Sequence, residues 1–306
     1  MITMRKTLIL TLALVFTLSA CGGEPAETKE PSSEMSASPT PSLEASSSPV
    51  PTSNEIVFEE QTIVDNDACT IRITGVDPGN MWGYTLKAAL ENKSTDKTYM
   101  FSITSAAVNG VQSDPLFATE VAPGKKANSE ISFMDSSLRD NGIIDFTDIE
   151  LSFRVYDSND WTAASVAEET VHIYPYGEAQ AIPFVRQTES SDLVILDNEF
   201  LTVTVTGYDA ENMWGYAVNL FLENKSDKEI MFSISEASIN GYMADPFYAT
   251  SVRPGKCAFS SITWFDSTLE ENDITEVEEI EFSLRAYDAN DWTADDFANQ
   301  VITLNP

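Results

Sequence analysis

The sequence predicts an all-β protein: two tandem immunoglobulin-like antiparallel β-sandwich domains behind a lipoprotein signal peptide and a disordered tether. Three observations lead there. First, Asn80-Met81-Trp82-Gly83-Tyr84 returns unchanged as Asn212-Met213-Trp214-Gly215-Tyr216. The match runs from Thr74-Gly75 and Thr206-Gly207 to Asn159-Asp160-Trp161-Thr162 and Asn290-Asp291-Trp292-Thr293, so one domain occurs twice. Second, apolar residues alternate with period two, the pattern of half-buried strands, and no helical stripe competes. Third, turn pairs separate these runs. Asn109-Gly110 and Asn240-Gly241 suit hairpins whose two central residues need positive φ, and Pro123-Gly124 and Pro254-Gly255 suit type II turns. A repeat of roughly 120 residues can bury its own core, which the short repeats of solenoids cannot. The copies are placed at 55–175 and 184–306.

At the N-terminus, Arg5-Lys6 precedes an apolar run from Thr7 to Phe16, and Leu18-Ser19-Ala20 brings small residues up to Cys21. Basic, apolar and small segments in that order form a bacterial lipoprotein signal over 1–20. The apolar run enters the membrane, small side chains admit the peptidase, and the Cys21 thiol accepts a diacylglycerol. The run is too short to cross a bilayer core of about 30 Å as a permanent helix. Lipidated Cys21 is therefore the expected membrane contact, on the extracellular face. Residues 21–54 are rich in Ser, Pro, Glu, Thr and Ala, too poor in large apolar residues to offset the entropy of ordering. A flexible tether of that length has a mean reach of about 30 Å.

In the first copy Cys69, Ile71 and Ile73 alternate with Thr70, Arg72 and Thr74, as Leu201, Val203 and Val205 alternate with Thr202, Thr204 and Thr206 in the second. The next strand sets Tyr84, Leu86, Ala88 and Leu90 on one face, matched by Tyr216, Val218, Leu220 and Leu222, before Asn92-Lys93 and Asn224-Lys225 turn the chain. Further strands are expected at 99–103, 127–133, 149–155 and 171–174, and at 230–234, 258–264, 280–286 and 301–304. That makes about seven per copy, as in an immunoglobulin-like sandwich. Asp135 and Asp266 are placed to cap single helical turns.

The series Glu91-Asn92-Lys93-Ser94, Met100-Phe101-Ser102-Ile103, Asn109-Gly110, Asp114-Pro115 and Pro123-Gly124-Lys125, repeated in the second copy, resembles telokin-like, immunoglobulin-fold domains of extracellular lipoproteins from Gram-positive bacteria. The resemblance covers both copies and implies fold and location. It brings no catalytic residue.

The formal net charge is -32, and -34 once Arg5 and Lys6 leave with the signal. No Lys/Arg cluster is present to displace counterions from a phosphate backbone, so nucleic acid is not an expected partner. The acidity reads as solubility and self-repulsion. With Cys21 lipidated, Cys69 and Cys257 stand at non-equivalent positions of different copies, and no disulfide framework is expected. Cys69 aligns with Leu201 as a core thiol. Cys257 aligns with Lys126 and is expected to face outward and to be alkylated first.

His-Glu-x-x-His, Gly-x-Ser-x-Gly and a phosphate-binding glycine loop are all missing. The one histidine, His172, aligns with Ile302, so no catalytic base is duplicated. The expectation is a non-enzymatic protein with no cofactor. An envelope hydrolase is the competing class, with Glu278 and Glu279 as paired acids.

Two candidate sites arise from the repeats. Asp77 and Asn80 occupy the loop before Tyr84, while Asp157, Asn159 and Asp160 occupy the loop before the last strand, and Asp209, Asn212, Asp288, Asn290 and Asp291 are their counterparts. If these loops share one end of the sandwich, five oxygen donors converge in each copy and suit Ca²⁺. The competing reading is that each side chain caps its own turn. Trp82, Trp161, Trp214 and Trp292 flank the same loops. They either plug the ends of the cores or stand outside to stack on a sugar or anchor a protein. The function expected is that of a membrane-anchored surface lipoprotein that binds or scaffolds a protein or glycan of the cell envelope, with calcium-dependent surface binding as a further alternative.

Overall fold

Alternating apolar residues become strands almost everywhere in the computed structural model, which describes residues 55–134, 138–246 and 248–306. The expected signal peptide, Cys21 and the tether lie outside the described residues, as does Asp135. The first copy contains β1 (Gln61–Asp65), β2 (Cys69–Asp77), β3 (Tyr84–Asn92), β4 (Tyr99–Val108), β5 (Val111–Ser113), β6 (Ala118–Val121), β7 (Lys126–Phe133), β8 (Ile149–Asp157) and β9 (Ala167–Ile173). The second contains β10 (Leu193–Asp197), β11 (Leu201–Asn212), β12 (Gly215–Asn224), β13 (Ile230–Ile239), β14 (Tyr242–Met243), β15 (Ala249–Val252), β16 (Cys257–Phe265), a short helix α1 (Asp266–Glu271), β17 (Ile280–Asp288) and β18 (Ala298–Leu304). The three strands in each copy beyond those placed from sequence, β1, β5 and β6 and their counterparts β10, β14 and β15, are short or at sheet edges, where apolar alternation is weak.

Strands β1-β2-β3-β7 form one sheet of the first copy, and β6-β4-β8-β9 lie in another. Ile71, Leu86 and Phe133 from one and Phe101, Leu151 and Phe153 from the other share a single buried cluster, giving a two-layered, sandwich-like body. In the second copy β10-β11-β12-β16 and β15-β13-β17-β18 enclose Val203, Ile262, Trp264, Phe232 and Phe282 in the same way. Each such side chain contributes about 1.5–3 kcal/mol by leaving water. Among the described residues no helix is long and apolar enough to cross a membrane.

The repeated motifs mostly have structural work. Asn109, Gly110, Asn240 and Gly241 all adopt positive φ, as the hairpin requires. The Asn109 Oδ1 also accepts the N–H groups of Thr147 and Asp148, and Asn240 does the same for Glu278 and Glu279. Buried Asn92 donates to the carbonyls of Lys97 and Val121, and Asn224 to those of Lys228 and Val252, tying two neighbouring turns together. Two expectations need correction. Asp266 is the first residue of α1 rather than its cap: Phe265 holds the cap position, without a side-chain bond. His172 pairs with Glu150 as Thr303 pairs with Glu281, so its counterpart is Thr303 and not Ile302.

The sheet of the second copy continues past β16. Cys257 pairs in parallel with Val111 of β5, and one nine-stranded sheet crosses both copies. From residue 55 onward the chain forms one compact unit. Around this seam the Gln112 side chain donates to the Ser251 carbonyl and accepts from the Arg253 N–H. Glu150 receives Arg253 at 2.6 Å and Lys256 at 2.5 Å, and Arg253 also donates to the Ala106 carbonyl. Phe184, from the connecting segment, meets the rings of Phe221 and Phe259.

Here the Cys257 expectation fails. Its parity is outward, as its alignment with Lys126 requires, but the first copy covers that face, with the thiol 3.7 Å from the Gly110 carbonyl and packed beside the first core. Burial pushes both Cys69 and Cys257 up to about 11. Alkylation of the native protein at pH 8 is therefore expected to be slow at both cysteines, and mass spectrometry should find both labelled quickly after denaturation. Rapid native labelling of Cys257 would contradict the seam.

Candidate functional site

The two acidic loops of a copy lie at opposite ends of its body. Asp77 pairs with Thr85 at the start of β3, beside Tyr84 and its partner Phe133. Asp157 pairs with Tyr99, contacts Lys97 at 3.2 Å, and is followed by Ser158 bonded to the Thr98 carbonyl, all beyond the far end of β3. Nine strand residues separate the two ends by about 27 Å. The reason is topological. β8 runs antiparallel to β4 and so ends where β4 begins, one strand length from the loop between β2 and β3. In the second copy Asp209 pairs with Ala217 while Asp288 pairs with Ile230, and the separation repeats.

The five-donor calcium constellation is therefore not assembled in either copy. Among the described residues no group of three or more His, Cys, Asp or Glu side chains stands together as a metal site. Seven of the ten side chains cap turns instead, and Asp77 lies 3.7 Å from the Lys87 ammonium. Asn80 accepts from the Trp82 N–H at 3.0 Å and Asn212 from the Trp214 N–H at 3.1 Å. Asp209 accepts from the Glu211 N–H. Asp157 and Asp288 accept from the N–H groups of Asn159 and Asn290. Asp160 and Asp291 each accept a threonine N–H and a hydroxyl, from Thr162 and Thr293. The electrostatics agree: the Asn159 N–H first, opposed by burial and helped by Lys97, holds Asp157 below the usual carboxylate range. The threonine hydroxyl does most to lower Asp160 and Asp291.

With most of the polar residues occupied, the apolar ones stand out. Trp82, Trp161, Trp214 and Trp292 are between 60% and 72% exposed, and Met81 and Met213 are 85% and 80% exposed, so none of them plugs a core. The fifth tryptophan, Trp264, is fully buried, with its indole N–H on the Ala244 carbonyl. Their loops are nonetheless held in shape. Gly83 and Gly215 take positive φ, and Tyr84 and Tyr216 bury themselves directly after. Arg154 lies over Tyr156 and donates to the Trp161 carbonyl, and Arg285 over Tyr287 does the same for Trp292. Each copy thus presents a Met-Trp loop at one end and an Asp-Trp loop at the other, on built rather than loose supports.

The residues weighed for catalysis are elsewhere. Glu278 and Glu279 are exposed, with their backbone N–H groups on Asn240. His172 bonds Asp148 at 2.7 Å and lies 3.6 Å from Glu150, at the edge of the seam. Sequence reasoning missed the Glu150, Arg253, Lys256 and Gln112 cluster.

No family model matches this chain, and no curated protein matches it. Among solved structures, red sea bream transglutaminase is similar at 9% identity and a TM-score of 0.20, with 81% of this chain and 31% of that chain covered. The chain spans less than a third of that structure, and a likeness at this level carries no argument.

Proposed function

We propose that this protein is a membrane-anchored extracellular lipoprotein, attached through lipid on Cys21, whose two β-bodies act as a non-enzymatic binding or scaffolding module for a protein or glycan of the cell envelope. The observation that carries this reading is the set of four exposed loop tryptophans, repeated in register in both copies. In the same motifs Asn80, Tyr84, Asp160 and Thr162 are engaged in the fold. Indole faces beside polar turn residues stack on sugar rings or seat in protein pockets. Two copies of a site on one compact unit add avidity. The strand order β2-β3-β7 against β6-β4-β8-β9 supports the immunoglobulin-like relationship.

The test has two arms. Trp82→Ala together with Trp214→Ala, and then Trp161→Ala with Trp292→Ala, are expected to lower retention on isolated cell envelopes tenfold or more, about 1.4 kcal/mol or greater. Because the side chains are exposed, the melting temperature should stay within about 2 °C. On cells, a fatty-acid label should mark the wild-type chain and be absent from Cys21→Ala. Full retention by the fourfold tryptophan variant would sink the binding reading, and label surviving in Cys21→Ala would sink the anchor.

A further inference from the structure

The seam between the copies uses one half of a junction from each, and each copy also carries the half it leaves unused. β5 is continued by β16, but its counterpart β14 ends its sheet, and β7, the counterpart of β16, ends its own. Among the described residues β7 takes an isolated bridge from Leu116 at Ser132, which leaves the edge from Lys126 to Glu130 open. β14 offers two apolar side chains to solvent, Tyr242 and Met243. By the register of the repeats, Tyr242 stands for Val111, Gly241 for Gly110 and Glu281 for Glu150. Lys126 stands for Cys257, and Lys125 for Lys256.

Charge matches across these two open halves. From Glu270 to Glu281 the segment beside β14 carries Glu270, Glu271, Asp273, Glu276, Glu278, Glu279 and Glu281 and no base. The turn that opens β7 carries adjacent Lys125 and Lys126, both exposed, the latter touching Glu91 at 3.1 Å. In a chain this acidic, a paired base on an open strand edge and an acid-lined open edge of the matching type are complementary halves.

We propose that the chain associates head to tail with a second copy of itself. β7 of one molecule lies parallel along β14 of the next, with Lys126 opposite Tyr242 and with Lys125 on Glu281 as Lys256 is on Glu150. The two faces differ, so the contact does not close on a twofold axis and adds molecules in a line. It is weaker than the internal seam, because Arg253, Phe221 and Phe259 have Ala122, Ala89 and Asn128 as counterparts. One cation, the aromatic wedge and the two Gln112 side-chain bonds, where Met243 stands, are missing. The association therefore depends on concentration and weakens with salt.

Parallel neighbours lie about 4.8 Å apart, within disulfide reach. The full chain, detergent-solubilised and carrying Cys21→Ala with Lys126→Cys and Tyr242→Cys, is expected on mild oxidation to give a ladder of dimers, trimers and higher species on a non-reducing gel. Either added cysteine alone faces no thiol across this contact and should stay monomeric on the same gel. Adding Glu281→Lys to the double-cysteine chain should reduce the ladder several-fold, and Lys125→Glu on top should restore it. Sedimentation velocity of the chain without added cysteines should show a mean mass that rises with concentration and falls at 1 M salt. A double-cysteine chain that stays monomeric, or a ladder untouched by Glu281→Lys, would overturn the proposal.

Discussion

Glu150→Ala is expected to split the thermal unfolding of the two copies into separate transitions and to remove about 3 kcal/mol of coupling between them. The carboxylate is 10% exposed and faces Arg253 and Lys256, themselves 19% and 20% exposed. Removing one member of a buried ion pair leaves the others desolvated and unpaired, at a cost of about 3–5 kcal/mol. The partial exposure of both cations argues for the lower end. Burial raises the Glu150 carboxyl, but the hydrogen bonds and charges of Lys256 and Arg253 outweigh it and hold the group below the usual glutamate range. The sign of the pH effect follows. A depressed folded value means that the contribution is complete above the unfolded value of about 4.3 and is lost as pH falls through the folded value. Calorimetry should therefore find the wild-type seam intact at pH 7 and loosened below about pH 4, with that acid step missing in Glu150→Ala. One unchanged transition in the variant at pH 7 would show that the seam is held by its strand pairing and aromatic contacts alone.

Gly215→Ala is expected to destabilise the second copy by about 3 kcal/mol or more and to misplace the Met213-Trp214 loop. Gly215 has φ 134°, and a Cβ there would stand 2.1 Å from the Trp264 carbonyl oxygen and 2.7 Å from the Asp266 nitrogen. The backbone strain alone costs about 1–3 kcal/mol. The clash is with backbone, which yields only if the end of β16 moves, and with it the Trp214 carbonyl that accepts the Asp266 N–H at 3.2 Å. Gly207→Ala is the control: nothing lies within 4 Å of its Cβ position and its φ is not positive. Chemical denaturation should show a large fall in midpoint for the first variant and almost none for the second. Trp264 emission should shift to the red in Gly215→Ala as its buried site opens. A stable Gly215→Ala protein would mean that the pentapeptide glycine is not required by this turn.

The residues that sequence reading placed well are those whose fate is local. Ile71 and Ile73 against Thr70 and Arg72 state which face of a strand is wet, because successive side chains point to opposite faces. Asn109-Gly110 and Pro123-Gly124 state their turns because the backbone angles are properties of those residues. The misplaced residues are those whose fate depends on distant chain. Asp77 and Asp157 are far apart in sequence, and whether their loops meet turns on how many strands reverse between them. Cys257 has the outward parity its alignment suggested, but parity does not say what lies against the outer face. A legible signal did exist: Phe221, Cys257 and Phe259 replace Ala89, Lys126 and Asn128. A duplicated surface that turns apolar in one copy marks a surface that the other copy covers.

By itself, then, the sequence determined the duplication, the all-β character, the antiparallel strands of the two bodies and the turns between them, since each depends on side-chain period or on backbone preference within a few residues. The tertiary structure decided the rest: the parallel seam of β5 and β16, the Glu150 ion cluster, the burial of Cys257, the separation of the acidic loops and the exposure of the four loop tryptophans. Each of these is a contact, or a lack of one, between segments tens of residues apart. The free energy of such a contact depends on the packing of whole sheets, which no local pattern encodes.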